Sequence, residues 1–343
     1  MNEILQSTPS GLYCSDGEFH IDPWRPVKRA IITHAHADHA RPGSRSYVCT
    51  RDGKELLQHR LGLDSDIQTL AYGESLTINS VKVSLHPAGH ILGSAQVRIE
   101  KGGEIVAVSG DFKTDTDPTC KPLEYLRCHT FISECTFGLP IFSWPSPEQV
   151  LREINSWWRA NRDQNRTSIL FAYALGKAQR ILNGLESDIG PILTHGAVEK
   201  INRCYREAGV VLPATRYIGE LENSKLPAGA LVIAPPSADN SLWMRRFPRR
   251  SRAFASGWMR IRGNRRRRSV DRGFVLSDHS DWKGLVKTIE NSGAQRIKLT
   301  HGYTNEMARW LQDRGFDAQV IPSFYDDEAE ADGDEAEADG DAA

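Results

Sequence analysis

The sequence predicts an α/β protein in two parts, and three observations carry that prediction. The first 135 residues are dense in short β-branched runs broken by glycine and asparagine, the pattern of strands and tight turns. After Pro145 strand and helix patterns alternate, which implies a parallel sheet covered on both faces. A length of 343 residues accommodates one large or two ordinary domains, and we place a domain change near residue 140 and a return near residue 273.

In chain order, RAIITHA, SYVCT, SLTINSVKVSLHPAG, AQVRIEKGGEIVAVSGD and HTFISECT read as strands, and KGG joins two alternating runs as a hairpin would. SPEQVLREINSWWRANRD opens a helix, with Ser146 as N-cap, Pro147 in the first turn and Gln149 completing a capping box. Next come strand TSILFAYA, helix GKAQRILNGL, strand PILTHG, helix AVEKINRCYREAG, and strands GALVIAPP and RAFASGW. Beyond an arginine-rich run lie strand GFVLSDHS, helix DWKGLVKTIENSG, strand AQRIKLTHG and helix NEMARWLQDRG. The Gly-Lys pair in ALGKAQ lacks the spacing of a phosphate-binding loop, so no nucleotide site is read there.

Composition is that of a soluble globular protein, with no apolar run long enough to span a bilayer. The N-terminus shows neither a basic region nor an apolar one of the signal-peptide kind, so a cytoplasmic location without membrane attachment is expected. Six dispersed cysteines form no C-x-x-C pair and read as reduced thiols. The net charge of −1 conceals an asymmetry. From Asp326 the chain holds ten acidic residues, no basic ones, and the heptapeptide EAEADGD twice, so residues 326–343 are expected to be disordered. With those ten set aside, 43 basic residues face 34 acidic ones, a charge of about +9 that points to a polyanionic partner. Eleven arginines fall between Arg245 and Arg268, interleaved with Phe247, Phe254 and Trp258. Arginine forks grip phosphates and aromatic rings stack on bases, so Arg260, Arg262, Arg265, Arg266, Arg267, Arg268 and Trp258 are candidate nucleic-acid contacts.

The stretch THAHADHARPGS crowds His34, His36, Asp38 and His39 into six positions. One or two such histidines suit any polar loop, but an H-x-H-x-D-H pattern concentrates the usual protein ligands of zinc. On extended backbone His34 and His36 point to one side, and Asp38 and His39 then turn toward a second position. Two adjacent metals suit that spacing better than one. Further donors stand at strand ends: His90 in PAGHILGS, and Asp111 in SGDFK, whose carboxylate could bridge two ions.

Asp22 in HIDPW, then HAHADH, GHILGS and SGDFK, together resemble the successive signatures of the metallo-β-lactamase superfamily. The remainder of the chain resembles its β-CASP nuclease branch: Glu134 in FISECTFG is similar to that branch's motif A, His279 in VLSDHSD to motif B, and His301 in IKLTHGYTN to motif C. The phrases YCSDGEFHIDPWRP, HAHADHARPGS, ASGWMRIRG and RGFVLSDHSDW resemble bacterial ligase-associated DNA exonucleases more closely still.

The resemblance implies a metallo-β-lactamase αββα sandwich from residues 1–140 and 273–325, with residues 141–272 inserted as a β-CASP α/β cap. It implies two Zn2+, with Mn2+ as an alternative. His34, His36 and His90 would hold one ion and Asp38, His39 and His301 the other, with Asp111 shared. Asp22 would orient a ligand from behind, while Glu134 and His279 face the scissile phosphate, and Asp38 would belong to the catalytic set. The implied activity is a DNA exonuclease in DNA repair, hydrolysing phosphodiesters with a bridging hydroxide, in the company of an ATP-dependent DNA ligase and a helicase. Histidine at motif C is typical of RNA-processing members, which keeps an RNA 3′-end processing nuclease open; a small-molecule zinc hydrolase and a non-enzymatic DNA-binding scaffold fit less of the sequence. His195 in ILTHGAVEK repeats the local phrase around His301. Order along the chain selects His301 and leaves His195 as a strand-end residue.

Overall fold

The computed structural model describes residues 3–221 and 226–322. The tail expected to be disordered, residues 326–343, lies outside them, as do the side chains of Arg265 and Arg267. The described chain forms two compact units, one of residues 3–143 with 279–322 and one of residues 144–278.

The first unit holds two sheets. The six-stranded one runs, in spatial and chain order, Gln6–Thr8, Gly11–Cys14, Phe19–Ile21, Ala30–Ile31, Tyr47–Thr50 and Ile67–Leu70. The seven-stranded one is ordered Asp317–Val320, Arg296–Gly302, Thr130–Cys135, Glu104–Val108, Ala95–Lys101, Val81–Pro87 and Ser75–Ile78. Alternation along the strands gives each sheet two apolar faces. Val106, Val108 and Ile132 join Phe19, Ile21, Ile31 and Val48 in one buried cluster drawn from both sheets. Ala107, Phe131, Ile297 and Leu299, pointing the other way, pack against Leu285 and Ile289 of helix Trp282–Ser292 and against Met307 and Leu311 of helix Thr304–Gln312. Helix Lys54–Leu61 contributes Leu57 to a cluster with Ala30, Tyr47 and Cys49. That helix falls in a stretch read as strands alone. The expected KGG hairpin is present, with Gly102 and Gly103 both at positive φ between antiparallel strands.

The second unit is a six-stranded sheet with every neighbouring pair parallel, ordered Arg216–Tyr217, Ile192–Thr194, Leu231–Ala234, Thr167–Phe171, Arg250–Ala255 and Arg272–Phe274. Ser146 caps helix Pro147–Asp163 by accepting from the Gln149 amide. The reciprocal half of the expected capping box is absent, because the Gln149 side chain bonds Glu153 at 3.1 Å instead. Two further expectations change here. Strand GFVLSDHS ends at Phe274 and the residues after it form no ladder, so the second unit keeps the chain to Asp278 rather than releasing it at 273. Phe247 and Phe254, expected as stacking surfaces, are buried core residues of this sheet. Within the arginine run, Arg250 bonds the carbonyls of Met244 and Phe247, and Arg252 pairs with Asp239, so these two brace the unit's own fold.

Candidate metal and nuclease site

Every strand end that the sequence marked delivers a donor to one region of the first unit. His34 follows strand Ala30–Ile31, and the chain then turns at residues 36–40, where the His39 and Ala40 amides both bond the His36 carbonyl. The turn sends His34 and His36 to one position and Asp38 and His39 to another. Asp111 follows strand Glu104–Val108 across Gly110, whose φ is +54 and where a Cβ would lie 2.7 Å from that of Thr33. Only glycine lets the Asp111 loop approach the histidine loop so closely.

His301 arrives by a backbone irregularity. In the parallel pairing of Thr130–Cys135 with Arg296–Gly302, Thr300 faces Glu134 and Gly302 faces Cys135, so the register shifts by one residue at His301. This bulge puts His301 at φ +60 and lays its ring over that of His39, at 5.6 Å between centroids and 22° between planes. His195, whose local sequence is so similar, lies in the second unit as the N-cap of helix Gly196–Glu207, its Nδ1 accepting from the Ala197 amide.

The donor atoms converge at spacings a metal requires. Ligand atoms about 2.0 to 2.1 Å from a tetrahedral ion stand about 3.3 to 3.4 Å from one another. His36 Nδ1 lies 3.0 Å from His34 Nε2 and 3.1 Å from His90 Nε2, and Asp111 Oδ2 lies 3.3 and 3.6 Å from those two nitrogens. The other carboxylate oxygen looks elsewhere: Asp111 Oδ1 is 3.4 Å from His39 Nε2, which is itself 3.3 Å from Asp38 Oδ2. One carboxylate thus divides its two oxygens between two donor groups.

Behind the second group stands a relay. Asp22 Oδ2 is 2.8 Å from His39 Nδ1 and accepts from the Thr33 hydroxyl at 2.6 Å, while Asp22 Oδ1 accepts from the Thr33 amide at 2.8 Å. Thr33 carries no sequence signal of its own beyond preceding the motif. On the other flank Glu134 Oε1 is 2.9 Å from His279 Nδ1, and the same carboxylate accepts from the Phe112 and Thr136 amides, each at 3.1 Å. His279 Nε2 lies 4.0 Å from Asp111 Oδ2.

Protonation follows from burial and charge. Burial, reinforced by the charge of His39, pushes His34 down to about 4. Burial with His34 and His279 takes His90 well below its ordinary value, and burial with His39 lowers His301. These imidazoles are neutral near pH 7, with lone pairs available to a metal. Burial opposes ionisation of Asp111, yet His39, His279 and His34 outweigh it and hold that carboxyl well below the usual range. His39 rises well above its ordinary value because Asp38, Asp111 and Asp22 overcome its burial. Imidazoles and carboxylates without thiolate suit zinc or another divalent ion.

The arginine segment of the second unit is partly helical over Arg262–Arg267. Arg260, Arg262 and Arg266 are exposed, Trp258 is half-buried, and the Arg268 guanidinium lies 4.0 Å over the Phe254 ring. Among the described residues no helix is long and apolar enough to cross a membrane.

No family model matches the chain. It is 32% identical over 314 residues to a protein of Opitutus terrae named "Probable DNA ligase", a match covering 91% of this chain and 30% of that one. It is 28% identical over 185 residues to an Emericella nidulans protein named "Endoribonuclease ysh1", covering 51% and 20%. The chain therefore spans less than a third of the length of either relative. A crystal structure of a protein of unknown function from Enterococcus faecalis shares the fold, with a TM-score of 0.59 at 12% identity over 86% of this chain and 79% of that one.

Proposed function

We propose that this chain, which belongs to the β-CASP branch of the metallo-β-lactamase superfamily, is a zinc-dependent DNA exonuclease acting in DNA repair. The observation that carries this reading is Asp111, whose two oxygens face two separate donor groups beside the Glu134–His279 pair. In this reading the first unit is the αββα sandwich and the second the β-CASP cap. His34, His36, His90 and Asp111 hold one ion; His39, Asp38, Asp111 and His301 hold the other. Bound there, two divalent ions supply Lewis acidity to the phosphoryl oxygens and lower the pKa of a water.

The chain's own residues do the rest. Asp22 accepts the hydrogen bond of His39 Nδ1–H, so the proton that a metal ion would displace from His39 is the one on Nε2. Glu134 orients His279 in the same manner, and His279 Nε2 delivers a proton to the departing sugar oxygen. Exposed Arg260, Arg262 and Arg266, with Arg265, Arg267, Arg268 and Trp258, hold the substrate backbone.

DNA is favoured over RNA because the relative that matches along most of this chain is named for DNA ligation. The printed name of that relative supports a DNA ligase as working partner; its ATP dependence, a helicase and a cytoplasmic setting rest on the family resemblance. The RNA reading keeps two supports, histidine at motif C and a relative named as an endoribonuclease. The test puts end-labelled DNA and RNA in competition in one assay, with metal content measured on the same sample. We expect about two ions per chain and a ladder shortening from the DNA ends; preferential loss of RNA would move the assignment to RNA processing. His279→Ala is expected to abolish cleavage while leaving the metal content unchanged.

A further inference from the structure

The ALGKAQ stretch, which matches no phosphate-binding loop, forms the start of helix Lys177–Asn183, and that helix places two cations in the interior of the second unit. Lys177 and Arg180 are each 3% exposed. The Lys177 ammonium is 2.9 Å from Asp278 Oδ2 and 4.5 Å from the centre of the Tyr173 ring. Arg180 Nη1 donates to the Ser277 carbonyl at 2.6 Å and stands 3.8 Å from Asp278 Oδ1. The helix start is itself locked, since the Gln179 carboxamide accepts from the Gly176 amide and donates to Asn202 Oδ1, both at 2.8 Å.

Ser277 and Asp278 immediately precede His279. They belong to a stretch that follows strand Arg272–Phe274 with no ladder of its own. Downstream, the Ser280 amide donates to the Phe112 carbonyl at 2.8 Å and Asp281 caps helix Trp282–Ser292. Upstream, Lys177 and Arg180 both tether it. Both cations are sealed from solvent, so they do not grip a nucleic-acid backbone, and both direct their charge at Asp278.

We propose that Lys177 and Arg180 are positioning residues for His279, clamping Ser277 and Asp278 so that the next residue presents its imidazole in a fixed orientation. The proposal rests on the reading of His279 as proton donor. Lys177→Met alone takes from buried Asp278 its nearer cation, so the decisive variant is the pair Lys177→Met with Asp278→Asn, in which Arg180 keeps the Ser277 carbonyl as its acceptor, compared with Lys177→Met alone in the full metal-loaded chain. A purely structural role predicts that activity follows stability and returns in the double variant. Positioning predicts that the double variant melts near wild type with its full metal content and unchanged KM, yet loses about 10- to 100-fold in kcat, the scale of an ångström-sized misplacement.

Wild-type kcat in the folded double variant overturns the proposal. So does a raised KM with a flatter salt dependence of DNA binding, which would make Lys177 a phosphate contact. A readout independent of turnover separates this test from that of the function itself. The imidazole resonance of His279, assigned by its loss in His279→Asn, is expected to broaden in the double variant, and an unchanged line overturns the clamp even if the wild type cleaves no nucleic acid.

Discussion

Asp111 shows how much one side chain can organise. Its carboxylate is ionised by three surrounding imidazoles and meets one donor group with each oxygen. Asp111→Asn keeps the shape but removes the charge and one acceptor. We expect the metal content to fall from about two ions to less than one per chain by elemental analysis, with circular dichroism unchanged; two retained ions would contradict a shared ligand. Asp22 acts one step back, and Asp22→Asn is expected to lower metal affinity about 10- to 100-fold in a chelator competition. Most of the donors were legible in the sequence because ligands on one short loop must keep a short spacing, as His34, His36, Asp38 and His39 do. Thr33 and the Phe112 amide were not, because a hydroxyl relay and a backbone N–H carry no residue-type signature. Phe247 and Phe254 misled for the converse reason, since an aromatic between arginines reads the same whether it faces solvent or core.

At the level of elements, the bulge at His301 depends on Gly302, at φ +73, where a Cβ would stand 2.4 Å from both the Cys135 carbonyl oxygen and the Thr136 Cα. Gly302→Ala is expected to cost at least about 1 kcal/mol in urea unfolding and to reduce metal occupancy, as the strand must move to admit the methyl group. Strand register is not written in the sequence, so IKLTHG predicted a strand but not the register shift that aims the histidine. No helix is legible over Lys54–Leu61, because it buries only Leu56 and Leu57, too few to mark a face. VLSDHS predicts more strand than forms, because its apolar start continues the pattern of the preceding residues. Core packing in the first unit also buries thiols. Burial raises Cys49 to about 12 and Cys128 to about 11, so both stay protonated, and unreactive, well above neutrality. Iodoacetamide at about pH 8, half a unit below the ordinary thiol value, is expected to label half-buried Cys120 first, as read by peptide mass spectrometry. Equal labelling of Cys49 in the native chain would contradict that packing.

For the whole molecule, charge is the property that composition alone conceals. A net charge of −1 combines a body of about +9 with a terminal run of ten carboxylates. Each arginine that neutralises a phosphate contributes about 0.9 to the slope of log affinity against log salt. Replacing exposed Arg260, Arg262 and Arg266 together by alanine is therefore expected to flatten that slope by up to about 2.7 for duplex DNA, with kcat on a saturating substrate nearly unchanged. Removing residues 326–343 acts in the opposite direction, because it deletes like charge that any incoming polyanion must meet. The truncated chain is expected to bind an oligonucleotide more tightly at low salt, and the difference should shrink as the Debye length falls from about 30 Å at 0.01 M to about 8 Å at 0.15 M. Fluorescence anisotropy across that range separates the two effects, since the arginine variant lowers the slope whereas the truncation steepens it. Identical curves for the truncated and full-length chains would mean that the carboxylates lie beyond a screening length from the bound strand.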